Sequence, residues 1–265
     1  MTEYYFLASL LPPLEIGHVP ALGFPELRVL LEQNLSQGDK EKVVQFLRIL
    51  DLQNLRAYWA GEPLDPRANV TTPEEMEQAL LDVQWPVGEE FPDYLRDYFE
   101  KYHTNEDRLA HFPLLMGQFF AYHIEHDKRF VQDYYRFQRE MRLVETGFRA
   151  KKLGKDLSYE LQYEDPKDPI VAQILAQRDA RTYEPPFEYK ELKPIFEEFG
   201  DSPQDLHKAL YEYQFAQIIE LWGGELFALD RILNYMARLI LVERWLELDV
   251  QKGIQVIDKI EKDVA

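Results

Sequence analysis

Between Asp205 and Asp249 the apolar residues recur with the period of an α-helix. Leu226, Leu229, Leu233, Met236 and Ile240 fall three or four residues apart and form a packing seam. Asp230, Asn234 and Arg238 lie four apart and form a polar stripe on another face. Leu239, Leu241, Val242, Trp245 and Leu246 widen the apolar surface, and a helix apolar nearly all round is buried among neighbours. Trp222-Gly223-Gly224 divides the segment into two helices. The stripe then needs either internal partners or a partner protein to meet its polar groups.

The rest of the chain also reads as helical. Pro25 opens a helix that runs through Leu35, because proline suits the first helical turn. Asp39 can cap the next, in which Val43, Phe46, Leu47, Leu50 and Leu55 keep helical spacing until Gly61, Pro63 and Pro66. Thr72-Pro73-Glu74-Glu75 has the form of a helix start with the threonine as cap, and a further helix is expected from Pro92 to about His103. The longest helical region is 113–152, dense in aromatics, with Gly154 closing it. Residues 156–200 contain Pro166, Pro169, Pro185, Pro186 and Pro194 around a short helix at about 169–180, and a last helix is expected at about 250–263. The first twenty residues, with Pro12, Pro13 and Pro20, are expected to drape over the core.

These patterns predict an all-α, multi-helix bundle. It is a single helical domain over 1–265, with an N-terminal part at 1–154, a proline-rich connection at 155–200 and a C-terminal part at 201–265. A weak internal echo aligns Arg56-Ala57 and Gly61 with Arg149-Ala150 and Gly154 at a separation of 93 residues. Duplicated helical units would produce it, and so would the shared chemistry of helix ends.

Composition narrows the function. Apolar residues make up 46% and aromatics 14%, values of a folded globular chain. The net charge of −18 disfavours nucleic-acid backbones and anionic membrane surfaces, and would steer a basic protein partner toward the chain. With no cysteine, disulfides, iron–sulfur clusters and thiolate zinc sites are excluded. Residues 1–17 carry an acidic Glu3 and no basic segment, so they do not read as a secretory signal. The most apolar stretch, Leu226 to Leu248, is interrupted by Asp230, Arg231, Arg238, Glu243 and Arg244, so no direct membrane insertion is expected. A cytoplasmic location fits.

Little catalytic chemistry is visible. His123-Ile124-Glu125-His126 puts two histidines three apart on a helix, where they could share a metal with ligands from elsewhere or simply lie on a solvated face. The glycines at Gly147 and Gly154 are spaced too widely for a P-loop, and Asp156 stands where Ser or Thr would hold magnesium. No serine or threonine sits in a nucleophile elbow, and no pair among the 48 carboxylates stands out. No cofactor, resident metal or catalytic residue is therefore expected. Arg149, Lys151, Lys152 and Lys155 form an island of positive charge, either a helix end favoured by the dipole or a partner contact.

Several blocks carry a resemblance: Tyr4-Tyr5-Phe6-Leu7-Ala8-Ser9-Leu10-Leu11-Pro12, Asp51-Leu52-Gln53-Asn54-Leu55-Arg56, the run from Asp168 to Gln177, Tyr183-Glu184-Pro185-Pro186, Leu206-His207-Lys208-Ala209-Leu210, and the stretch from Asp230 to Asp249. Together they resemble an uncharacterised bacterial family encoded inside V-type (A/V-type) ATPase operons. That family in turn looks like the V-type ATPase C/d subunit, whose acidic-x-x-Asn-Leu helix is echoed by Asp51-Leu52-Gln53-Asn54-Leu55. The resemblance implies a helical, non-catalytic subunit with a concave opening, peripheral to the inner membrane, coupling the central rotor shaft to the membrane proteolipid ring in ion transport. Arg149, Lys151, Lys152, Asp230, Asn234 and Arg238 are the expected partner contacts. The alternatives are an accessory or assembly factor of the same complex, and a metal-dependent helical enzyme using His123, Glu125 and His126.

Overall fold

A computed structural model describes residues 4–86, 90–221 and 228–264, with side chains up to Asp249 in the last helix. The expected break at Trp222-Gly223-Gly224 and the seam position Leu226 lie outside the described residues. Among those described there are thirteen α-helices: α1 (Tyr5–Leu10), α2 (Phe24–Asn34), α3 (Gln37–Phe46), α4 (Arg48–Ala60), α5 (Pro73–Asp82), α6 (Asp93–Lys101), α7 (Asn105–His126), α8 (Arg129–Leu153), α9 (Leu157–Glu160), α10 (Pro169–Leu175), α11 (Leu192–Phe199), α12 (Pro203–Glu220) and α13 (Leu229–Val264). The described residues contain no strand, only an isolated antiparallel bridge between Gln84 and Glu90. The fold is all-α.

Local chemistry sets most helix ends. Thr72 accepts from the Glu75 backbone N–H while the Glu75 side chain reaches back to the Thr72 backbone, a reciprocal cap that satisfies two otherwise open donors. Ser36, not Asp39, caps α3. Its hydroxyl accepts from the Asp39 N–H, so Asp39 sits three residues inside the helix and favours the positive end of the dipole from there. Gly61 and Gly154 take φ of +68° and +63°, the left-handed conformation that ends α4 and α8. The next residue returns to the last turn in both: Glu62 N–H donates to Ala57 O at 2.8 Å, and Lys155 N–H to Ala150 O at 2.8 Å. The two alanines of the internal echo occupy this same position, so helix-end chemistry accounts for it.

Three expected boundaries differ. The helix expected through Leu47 is two helices, because Leu47 (φ −84°, ψ −3°) leaves regular helical geometry with no Gly or Pro to announce it. The region expected at 113–152 begins at Asn105, capped by Thr104, and is interrupted between His126 and Arg129. Asp127 and Lys128 are extended there, and Arg129 takes φ +55°. The last two expected helices are one, α13, whose 36 residues span about 54 Å.

Buried apolar residues from Tyr4 to Val242 form one continuous cluster. The helix α13 runs through it: Ile232, Leu233, Met236, Leu239 and Val242 are all buried, and it packs on α12, α8, α2 and α3. The N-terminal arm drapes as expected. At Gly17 (φ +83°) an added Cβ would lie 3.3 Å from the Trp245 ring, so the arm passes directly over α13. No helix among the described residues is long and apolar enough to cross a membrane.

Candidate functional site

The segment Asp51-Leu52-Gln53-Asn54-Leu55 lies on α4, with Asp51 and Asn54 three residues apart and both buried. Asp51 is fully buried, so each carboxylate oxygen needs a donor. Four come to it: Arg48 Nη1 at 3.0 Å, Asn69 N at 2.8 Å, Asn69 Nδ2 at 2.8 Å and Val70 N at 2.9 Å. Burial pushes its carboxyl above the usual range, against the opposing pull of Arg48, Asn69 and Val70. Asn54 completes the arrangement. Its Nδ2 donates to Val70 O (2.7 Å) and Asp65 O (3.0 Å), and its Oδ1 accepts from Asp65 N (2.8 Å). Two side chains of one helix face thus hold the connection between α4 and α5 at Asp65, Asn69 and Val70, whose backbone would otherwise carry open polar groups into the core.

That connection grips α13 in turn. Asp65 accepts from Arg67 Nε at 2.7 Å and from Arg244 Nη2 at 2.8 Å. Burial opposes ionisation of Asp65, but Arg67 and Arg244 outweigh it and hold the carboxyl below its usual range. Arg67, buried, reaches Glu247 through Nη1 and Nη2 (both 3.0 Å) and Glu243 through Nη1 (3.3 Å). Glu243 also accepts the Phe24 backbone N–H at 2.7 Å, at the first residue of α2. Arg244 adds Gln53 at 2.8 Å, so α4, α2 and the 61–72 connection converge on one turn of α13. The cluster contains no nucleophile and no open donor pair. It is a clamp, and what it does chemically is fix the N-terminal helices on the C-terminal one.

The expected contact residues have mostly internal roles. Lys151 Nζ donates to Arg178 O (2.5 Å) and Ala180 O (2.8 Å), and Lys152 Nζ to Gly200 O and to Asp201 (2.6 Å). Each thus satisfies carbonyls beyond the ends of α10 and α11. Arg149 is exposed, with Glu145 at 3.9 Å. On α13, Asn234 is an interior residue, 3% exposed, donating to Ile218 O of α12 at 2.5 Å. Burial rather than a surface position follows because Asn234 lies on the flank where α12 packs. Asp230 is 3.9 Å from Arg129, and Arg238 Nε donates to Asn234 Oδ1 at 2.9 Å.

His123 does not lie on a solvated face. It is buried against Phe119 and Tyr135 (ring centroids 4.3 and 5.1 Å), with Nδ1 2.7 Å from Asp127 Oδ2. His126 Nδ1 is 2.7 Å from Tyr122 O. Among the described residues no three His, Asp or Glu side chains come together as a metal-ligand group. The largest cavity described, about 550 Å³, lies between α3, the α7–α8 junction and α13, and one of about 380 Å³ adjoins it beneath Arg48 and His123.

The sequence from residue 1 to 264 matches the family model described as "Protein of unknown function (DUF2764)". The chain belongs to that family. Three chlamydial proteins are similar to this DUF2764 chain over all of its length and 99% of their own. They come from Chlamydia muridarum (33% identical over 264 residues), Chlamydia pneumoniae (35%) and Chlamydia trachomatis serovar D (31%), each described as an uncharacterized protein. No solved structure matches. In this DUF2764 chain, sequence reasoning marked Asp51–Leu55 only as a segment that carries a resemblance, and missed the roles of Asp65, Arg67 and Arg244. Their signal was faint: charged residues around Pro66 in a segment without periodicity, and one arginine in an apolar run.

Proposed function

We propose that the chain is a non-catalytic, V-type (A/V-type) ATPase-associated subunit of C/d-like role, coupling the central rotor shaft to the membrane proteolipid ring from the cytoplasmic side. The observation that carries the reading is the buried Asp51–Asn54 face. It is the segment that resembles the C/d helix, and its side chains hold backbone and arginine rather than substrate. No metal-ligand group among the described residues favours the helical-enzyme alternative.

A second reading, an accessory or assembly factor of the same complex, is favoured by the size of the cavities. One helical turn is about 10–12 Å wide and 5.4 Å long, roughly 500 Å³. The largest cavity described, about 550 Å³, would hold a single turn of one helix rather than a coiled-coil shaft. Purification of the ATPase through a tag on this chain, followed by cryo-electron microscopy, tests both. A subunit stays at stoichiometric amount between shaft and ring. An assembly factor is found on partial complexes and leaves the mature one. Recovery of the chain without any ATPase component would overturn both.

A further inference from the structure

The cavity of about 380 Å³ beside the α7–α8 junction is walled by Trp85, Tyr94, Phe119 and Tyr122, and its polar lining includes His123 and Asp127. Small-molecule sites occupy about 300–1,000 Å³ and set a few polar groups among aromatic walls. His123 is held from two sides. Phe119 packs on its ring with centroids 4.3 Å apart, and Asp127 Oδ2 lies 2.7 Å from Nδ1. A carboxylate only accepts, so Nδ1 carries the hydrogen, and in the neutral ring Nε2 is left as an acceptor. Among the described residues no hydrogen bond reaches Nε2 or the Tyr94 hydroxyl, and both atoms keep solvent-accessible surface, so both are open to the cavity. Tyr122, its ring 5.6 Å from that of Tyr94, is 40% exposed, so the cavity opens to solvent beside it.

The charges around the cavity decide what it would take. Arg48, which also lines it, is balanced by Asp51 at 3.0 Å and lies 4.7 Å from the centre of the Trp85 ring. Glu90 pairs with Arg96 at 3.3 Å. In the adjoining larger cavity Lys42 is met by Asp39 at 2.8 Å and Arg129 by Asp230 at 3.9 Å, while Lys128 is exposed to solvent. Asp127 faces only the His123 imidazole, which leaves a carboxylate charge without a full cation beside it. A carboxylate, an imidazole acceptor and aromatic faces all favour the same thing, a cation that carries N–H donors.

We propose that this cavity binds a small organic amine in its protonated form. The ammonium would donate to His123 Nε2, to the second carboxylate oxygen of Asp127 and to the Tyr94 hydroxyl oxygen, with its apolar body against Phe119 and Trp85. An anionic ligand would be repelled by Asp127, and a neutral one would leave that charge unmet. A metal ion lacks its ligands, since among the described residues no three His, Asp or Glu side chains come together. The net charge of −18 raises the local concentration of cations around the chain. This inference stands apart from the ATPase reading, and either can fail without the other.

The test is calorimetric titration of the full chain, at constant ionic strength near neutral pH, with three ligands of similar shape: phenethylamine, phenethyl alcohol and phenylacetate. The expected result is saturable one-to-one binding of the amine, about tenfold weaker binding of the alcohol and none of the acid. Asp127→Asn is expected to weaken the amine about tenfold. Glu125→Gln removes the same charge from an exposed position on α7 outside the cavity lining, and is expected to leave the affinity unchanged. Tyr94→Phe keeps the aromatic wall and removes only an open hydroxyl, so the melting temperature should hold while the amine binds roughly three- to tenfold more weakly. That variant decides the matter if Asp127→Asn unfolds the α7–α8 junction. No saturable binding of the amine would overturn the proposal, as would equal affinity for amine and alcohol or unchanged affinity in Tyr94→Phe. Equal losses in Glu125→Gln and Asp127→Asn would also overturn it, in favour of attraction by the overall charge.

Discussion

Asp51 shows how one residue can commit a whole connection. Removing it would take away the buried carboxylate that accepts from Arg48 and open the Asn69 and Val70 donors, so Asp51→Ala should cost about 3–5 kcal/mol in urea unfolding. Tyr183 and Gly147 form a tighter pair. A Cβ at Gly147 would fall 2.4 Å from the Tyr183 ring, which lies against α8 and Phe148. Gly147→Ala should therefore destabilise by roughly 1–3 kcal/mol, and pairing it with Tyr183→Ala should recover part of the loss. Glu145 carries a pH signature. Burial pushes its carboxyl up from 4.5 to about 7, with Arg149 opposing. The folded chain thus keeps a proton that the unfolded chain releases, so this contribution to stability is present below pH 4.5 and is lost as pH rises through 7. Glu145→Gln should flatten that loss, and its stability relative to the parent should rise by about 1–3 kcal/mol between pH 5 and pH 8, measured by thermal melts across pH.

Among the elements, α5 ends on an awkward residue. Val83 takes φ +55°, a conformation that a β-branched side chain resists, and its side chain is largely exposed. Val83→Gly should stabilise the chain by about 1 kcal/mol, read as a higher denaturation midpoint with unchanged slope. Where short-range chemistry decides an element, the sequence shows it. Thr72 with Glu75, Gly61 and Gly154 are legible because cap and helix interact within a few residues. The breaks at Leu47 and at Asp127-Lys128 carry no such mark, since long-range packing sets them. Phe46 meets Phe130 and Tyr134 across the core (6.1 and 5.0 Å). Such contacts leave no local period to read. For the same reason the stripe on α13 was visible as spacing, while the burial of Asn234 depended on where α12 lies.

At the scale of the molecule, charge and closure dominate. The net charge of −18 opposes compaction, so added salt should raise the melting temperature. About 1 kcal/mol of relieved repulsion corresponds to roughly 2–4 °C in a chain of this size. A fall on going from low to moderate salt would mean that the Asp65–Arg67–Arg244 clamp contributes more than the repulsion takes away. The clamp was the part least visible beforehand, because its partners are far apart along the chain: Arg67 and Glu247 by 180 residues, Phe24 and Glu243 by 219. That distance has a consequence for vectorial synthesis. Ribosomes deliver about 5–20 residues per second, so once Arg67 has emerged some ten to forty seconds pass before Glu247 does. Throughout that interval the nascent N-terminal helices hold a finished latch and no bar to close it on.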